Sequence, residues 1–220
     1  MSQLVFDSPK YKSWKRNIES HGLTIEQIEV IGEISMNGTS LFTALLDCQL
    51  MTPEGITMPR SVVLRGDGAI VIPVLNCVED QKVYTLMVEQ CRVVDDSFTT
   101  EFPAGTVEPS IEDSIIVAVQ ELEEELGMQV STEELQLLHP YPLKVDPSIL
   151  SAIFHYFYFE REVTQAFLKE MDGRETGCLE DHEYIRVKVQ KMSEVSQNNV
   201  TVFSLAGLQL LENKLGTILK

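Results

Sequence analysis

The chain has 220 residues, 44% of them hydrophobic, and carries 34 acidic against 17 basic side chains for a net charge of −17. That length and apolar fraction predict a folded chain with material for one generous domain plus a small appendage, and the charge excludes nucleic acid as a partner because its phosphates would be repelled. No apolar run approaches the ~18 to 20 residues of a membrane span, the opening MSQLVFDSPKYKSWKRN lacks the apolar stretch of a secretory signal, and Cys48, Cys77, Cys91 and Cys178 show no C-x-x-C spacing. A cytoplasmic protein with reduced thiols, no membrane partner, no zinc site and no disulfide framework is expected.

In chain order, Ser8-Pro9 opens a predicted helix over 10–19 with Tyr11, Trp14 and Ile18 on one side. Two β-rich runs, 25–36 and 41–51, flank the hairpin signal Asn37-Gly38. Thr52-Pro53-Glu54-Gly55 predicts another turn, followed by a strand over 56–65. Residues 1–57 read as a small β-rich appendage and 58–220 as the main domain. The main domain shows a buried-type strand at 69–75, a strand at 82–90 closed by Cys91-Arg92, and a short strand at 97–102. A helix over 113–126 comes next, then strands at 136–140 and 150–160, the second containing His155 as an ordinary core or edge histidine. A short helix at 164–171, an acidic polar loop over 172–183, a strand at 184–189 and an amphipathic helix at 201–215 complete the chain.

The central helix is the informative stretch. Ile115, Val119, Leu122 and Leu126 predict its buried stripe, and beside them Glu121, Glu124 and Glu125 crowd one flank. Like charges at i, i+3 and i+4 repel by a few tenths of a kcal/mol per pair, roughly. They also occupy the last turn before Gly127, where the helix dipole disfavours negative charge. No Lys or Arg stands within a turn along the chain. Either this is a solvated acidic face, or a hard divalent cation compensates the carboxylates.

Glu101-Phe102-Pro103-Ala104-Gly105, followed by the helix and Glu121-Leu122-Glu123-Glu124-Glu125-Leu126-Gly127, resembles the Nudix box. Tyr11-Lys12-Ser13-Trp14, Val63-Leu64-Arg65-Gly66, Val88-Glu89-Gln90-Cys91-Arg92, Gly173-Arg174-Glu175-Thr176-Gly177 and Ile185-Arg186-Val187 occur in the order of the plant-type ADP-sugar diphosphatases of that superfamily. Three departures stand out. Gln120 replaces the box Arg, Ile111 stands where the first box Glu belongs with Glu112 beside it, and Gly105 to Gln120 is one residue longer than the pattern. After Asp146-Pro147-Ser148 the short apolar Ile149-Leu150-Ser151-Ala152-Ile153 replaces a longer Gly-rich, acid-bearing loop.

The resemblance implies an α/β fold, the Nudix α/β/α sandwich with a mixed sheet, and an N-terminal β-rich domain used in a homodimer. It implies metal-dependent hydrolysis, with Mg²⁺ or Mn²⁺, of a nucleoside diphosphate sugar of the ADP-ribose or ADP-glucose type to a nucleoside monophosphate and a sugar 1-phosphate. Glu121, Glu125, Glu124 and the backbone carbonyl of Ala104 are the metal ligands it implies, with Glu124 also counted in the catalytic set. Glu183 is the general base, with Asp181 and Glu180 as rivals, and Arg92, Arg65 and Glu101 bind substrate. Gln120 and Ile111 leave open the alternative of a catalytically impaired Nudix domain that acts as a nucleotide-binding or protein-interaction module.

Overall fold

A computed structural model describes residues 2–36, 38–92, 97–108, 113–177, 184–198 and 200–216. By packing, the chain divides into an N-terminal unit, Met1–Gly68 with Thr106–Asp113 and Leu143–Phe154, and a second unit, Ala69–Gly105 with Ser114–Pro142 and His155–Lys220.

The N-terminal unit begins with α1 (Gln3–Asp7), a turn of helix that periodicity did not reveal, and α2 (Pro9–Ser20). Ser8 is the N-cap of α2: its hydroxyl accepts the Tyr11 N–H at 3.1 Å, and Pro9 takes the first helical position, where its missing N–H is no loss. Strands β1 (Thr24–Met36), β2 (Ser40–Met51) and β3 (Thr57–Arg65) form an antiparallel sheet in that order. Leu41, Ala44, Leu46, Cys48 and Leu50 of β2 point inward, and Val5, Trp14 and Leu64 close the core over them. All of β3 pairs with β2, from Met51↔Thr57 to Thr43↔Arg65, and packing groups Met1–Gly68 in one unit. Lys10 is buried. Its ammonium donates to the Leu41 carbonyl at 2.8 Å and pairs with Glu108, which satisfies a charge that burial would otherwise penalise.

The remaining elements are β4 (Asp67–Cys77), β5 (Val83–Arg92), β6 (Ser97–Glu101), β7 (Ala104–Val107), α3 (Ser114–Leu126), β8 (Gln136–Leu137), β9 (Leu143–Lys144), β10 (Ile153–Val163), α4 (Gln165–Met171), β11 (Glu175–Thr176), β12 (Ile185–Lys191) and α5 (Val202–Leu215), with a 3₁₀ turn at Met192–Gln197 before α5. Among the described residues the second sheet runs β11-β12-β5-β4-β10-β8, with β6 on β5, β7 on β4 and β9 on β10. The unbroken apolar run of β4 is explained by its central place: Ala69, Ile70, Val71, Ile72, Val74 and Leu75 are all buried. In the second unit, α5 lies close over the sheet at Gly207, where an added Cβ would stand 2.9 Å from Ile72 Cδ1. Helix α3 packs on β5, β11 and β12. This is the α/β arrangement the sequence predicts.

Two strand predictions shift. The strand expected from 150 starts at Ile153, because Ile149 and Leu150 are bound to β3 instead: the Val63 N–H donates to the Ile149 carbonyl at 2.7 Å, and Val63 bridges Leu150 in parallel. The strand expected over 136–140 contracts to Gln136–Leu137.

Candidate functional site

Helix α3 buries Val117, Ala118, Leu122, Glu125 and Leu126, while Ile115 and Val119 are half-buried. The buried stripe is therefore rotated from the predicted one, and Glu125 belongs to it, only 6% exposed. A buried carboxylate needs a donor. Glu125 finds one in the backbone: its Oε2 accepts the Ala104 N–H at 3.0 Å.

Glu121, one turn earlier and half-buried, lies over the next residue of the same turn. A Cβ placed on Gly105 would meet Glu121 Oε1 at 1.9 Å and Cδ at 2.3 Å. The absence of a side chain at Gly105 is what lets the carboxylate approach the backbone there. Glu121, Glu125, Ala104 and Gly105 are thus brought together, while Glu124 and Gln120 are exposed on the outer side of the helix.

The far end of α3 is compensated in a way the local sequence does not show. Gly127 takes φ +66° and its N–H closes on the Glu123 carbonyl at 2.9 Å, a left-handed helix stop. Thr176 Oγ1 donates to the Glu125 carbonyl at 2.6 Å, filling one of the acceptors that a helix C-terminus leaves open. The Arg174 guanidinium lies against Gly127, its Nη2 2.7 Å from where a Cβ would be. A cation therefore does stand at the negative end of the helix dipole, supplied through space by β11 and the turn before it. Both residues sit in the Gly173-Arg174-Glu175-Thr176-Gly177 landmark, whose value in sequence was only its order along the chain.

Arg92, at the end of β5, and Glu101, at the end of β6, hold each other. Nε and Nη2 of Arg92 donate to Oε1 and Oε2 of Glu101 at 2.8 and 2.7 Å, and Thr99 Oγ1 donates to Oε1 at 2.6 Å. Burial pushes the Glu101 carboxyl up, but the hydrogen bonds from Arg92 and Thr99 outweigh it and hold the group below the usual glutamate value. Arg65 belongs to the N-terminal unit and lines a cavity there. Glu183, Asp181, Glu180, Glu112 and Ile111 lie outside the described residues.

A cavity of about 840 Å³ opens in the second unit, lined by Glu89, Phe98, Thr176, Gly177, Tyr184 and Arg186 among others. Phe98 and Tyr184 are 63% and 72% exposed, an unusual condition for aromatic rings. They are the functional candidates sequence reasoning passed over. The signal was a lone aromatic at the start of β6 and another just before β12.

For a metal, the side-chain donors gathered in the last turns of α3 are the oxygens of two carboxylates, beside the Ala104–Gly105 backbone. That chemistry suits a hard divalent cation and not zinc. The missing Cβ at Gly105 holds the space in which Glu121 meets that backbone, so the residues present fit the ion. Among the described residues, no three His, Cys, Asp or Glu side chains form a group that could hold a metal ion by themselves.

No family model matches the chain. Among curated proteins it is similar to Nudix hydrolase 14, chloroplastic, of Arabidopsis thaliana, at 26% identity over 226 residues that cover 94% of this chain and 71% of that one. Among solved structures it is similar to the crystal structure of an ADP compounds hydrolase, with a TM-score of 0.58 and 16% identity, covering 87% of this chain and 92% of the other. The first likeness is one of sequence along nearly the whole chain. The second is one of fold.

Proposed function

We propose that this chain, a Nudix hydrolase by sequence likeness and fold, cleaves the pyrophosphate of a nucleoside diphosphate sugar of the ADP-ribose or ADP-glucose type. The products are a nucleoside monophosphate and a sugar 1-phosphate. The observation that carries the reading is the packing of Glu121 and Glu125 on Ala104 and Gly105, two carboxylates held on one backbone turn.

Glu121, Glu125 and the Ala104 carbonyl, with Glu124 adjacent, would hold Mg²⁺ or Mn²⁺. When bound, the ion supplies charge neutralisation for the diphosphate oxygens. Hydrolysis also needs a water in line with the phosphorus and a group to take its proton. Glu183 is our candidate for that base, next in sequence to Tyr184, which lines the 840 Å³ cavity. The proton passes from water to the Glu183 carboxylate as the water oxygen bonds to phosphorus and the bridging P–O bond breaks. Phe98 and Tyr184 offer flat faces for a nucleobase. Arg92, held by its two bonds to Glu101, is our candidate for a phosphate contact through its planar guanidinium. On the first unit, Ile31, Ile34, Met36, Phe42 and Leu45 stay exposed, apolar surface that supports a homodimer formed through the β1–β2 hairpin. No helix among the described residues is long and apolar enough to cross a membrane.

A specific observation favours a second reading. Gln120, at the box Arg position, is exposed and carries no charge, so a domain that binds nucleotide without turnover has a physical basis. Incubation with ADP-ribose and ADP-glucose plus Mg²⁺, with product identification, separates the two. AMP release supports the enzyme. No AMP from either substrate, and none gained in Gln120→Arg, leaves the binding module.

A further inference from the structure

The N-terminal unit holds a cavity of about 390 Å³ between α2, the start of β3 and the segment 144–153. Hydrolysis as proposed leaves it unused apart from Arg65. Trp14, Ile18, Leu50 and Met58 are among its apolar lining residues. Its charged lining residues are four cations, Lys10, Arg60, Arg65 and Lys144, against one carboxylate, Asp67. Lys10 is already neutralised by Glu108. Arg60, Arg65 and Lys144 are exposed and, among the described residues, none of the three forms an ion pair. Arg60 donates only to its neighbour, with Nη1 2.7 Å from the Pro59 carbonyl, and to the Met58 sulfur at 3.7 Å.

In a chain with 34 acids to 17 bases, three cations left without carboxylates around one concavity are not a chance surface mixture. Among the described residues Asp67 forms no ion pair with any of the three, and its Oδ1 accepts the Ile153 N–H at 3.0 Å. The wall is also built rather than loose. Val63 and Ile149 share a 2.7 Å backbone bond, the Ser151 N–H donates to the Val63 carbonyl at 3.1 Å, and Ser151 Oγ accepts the Arg65 N–H at 3.2 Å. This is the short apolar segment 149–153; the three cations come from β3 and β9.

We infer that this cavity binds a phosphate-bearing small molecule of nucleoside monophosphate size, its phosphate among Arg60, Arg65 and Lys144 and its apolar or planar body on the Trp14 side. The volume lies within the range of roughly 300 to 1,000 Å³ of ordinary small-molecule sites. The site goes beyond the proposed hydrolysis, since nothing in it requires Glu121, Glu125 or a metal.

Trp14 is the only tryptophan of the chain, so its fluorescence reports on this cavity. The experiment titrates the full-length Glu125→Gln variant, in EDTA, with AMP, glucose 1-phosphate, inorganic phosphate and, as an uncharged control, adenosine. A saturable Trp14 response to AMP or glucose 1-phosphate is expected, weakened roughly tenfold by Arg60→Ala and again by Lys144→Ala, as for one charge-assisted contact each. A response to AMP alone identifies a nucleotide, one to glucose 1-phosphate alone a sugar phosphate, and competition by inorganic phosphate places the recognition in the oxyanion. The inference is overturned if no phosphate gives a saturable response, if adenosine matches AMP, or if both substitutions leave the titrations unchanged. Because catalysis is assayed separately, on the unmodified chain with Mg²⁺, either reading can fail without the other.

Discussion

Gly105→Ala is the sharpest test of the carboxylate turn. The new Cβ would sit 1.9 Å from Glu121 Oε1, whereas ordinary contact begins at 3.4 Å, so the carboxylate must withdraw by about 1.5 Å. Overpacking of this kind costs about 1 to 3 kcal/mol, and for a chain of this size each kcal/mol lowers Tm by roughly 2 to 4 °C. The functional effect should be larger than the structural one, because a misplacement of ~1 Å in a reacting constellation costs about 10²-fold in rate. The assay is nucleotide release as a function of Mg²⁺ concentration, beside thermal melting of the same samples. The half-saturating Mg²⁺ should rise and the plateau rate fall by about 10²-fold. Glu121→Ala supplies the control: in its background Gly105→Ala should no longer destabilise, because the colliding group is gone. If Gly105→Ala melts lower yet keeps the wild-type Mg²⁺ curve, the contact between Glu121 and the turn is packing and nothing more.

Three further outcomes follow from the same geometry. Glu125→Gln keeps an oxygen able to accept the Ala104 N–H, so it should melt within about 1 kcal/mol of wild type while losing Mg²⁺-dependent activity; Glu125→Ala removes that bond and should cost about 0.5 to 1.5 kcal/mol by denaturant unfolding. Thr176→Val removes the 2.6 Å hydroxyl bond to the Glu125 carbonyl and should cost ~0.5 to 1.5 kcal/mol in the same measurement; no loss would mean that the end of α3 is satisfied otherwise. Arg92→Ala should act on stability in a pH-dependent manner. The folded Glu101 carboxyl lies below its ordinary value of 4.5, so the pair contributes in full above that value and fades as pH falls through the depressed one. The Tm gap between Arg92→Ala and wild type should therefore be widest at neutral pH and narrow as the pH is taken progressively below 4.5, and a gap that does not change with pH would remove Arg92 as the cause.

What could be read from the sequence and what could not divide along a physical line. Hairpin chemistry at Gly38 and Gly55, the Ser8-Pro9 helix start and the apolar run of β4 are local or periodic, and each appears where predicted. Residues 150–152 were misread as strand of the second sheet because Leu150 serves a bridge to β3, a partner distant in sequence. The rotated stripe of α3 has a related cause. Periodicity assigns faces by hydrophobicity, so it placed Glu125 outside, whereas a carboxylate with a fixed backbone donor can occupy a core position.

The same distinction governs the charge argument. Read along the chain, three glutamates at a helix end lack any cation within a turn, and a metal looks like the sole remedy. In space, Arg174 lies on Gly127 and Thr176 on the Glu125 carbonyl, so the dipole end is answered by protein. Those groups act on the C-terminal end of the helix. They do not explain why Glu121 and Glu125 turn back toward Ala104 and Gly105. The pull toward a cation thus rests on that pair and the glycine beneath it, not on the acid count. It follows that Arg174→Ala should lower Tm without shifting the Mg²⁺ dependence of turnover, while Gly105→Ala should shift both. If Arg174→Ala moved the Mg²⁺ curve as far as Gly105→Ala does, the backbone end of α3 and the carboxylates of its last turns would be one electrostatic unit, and the separation drawn between helix stability and metal binding would fail.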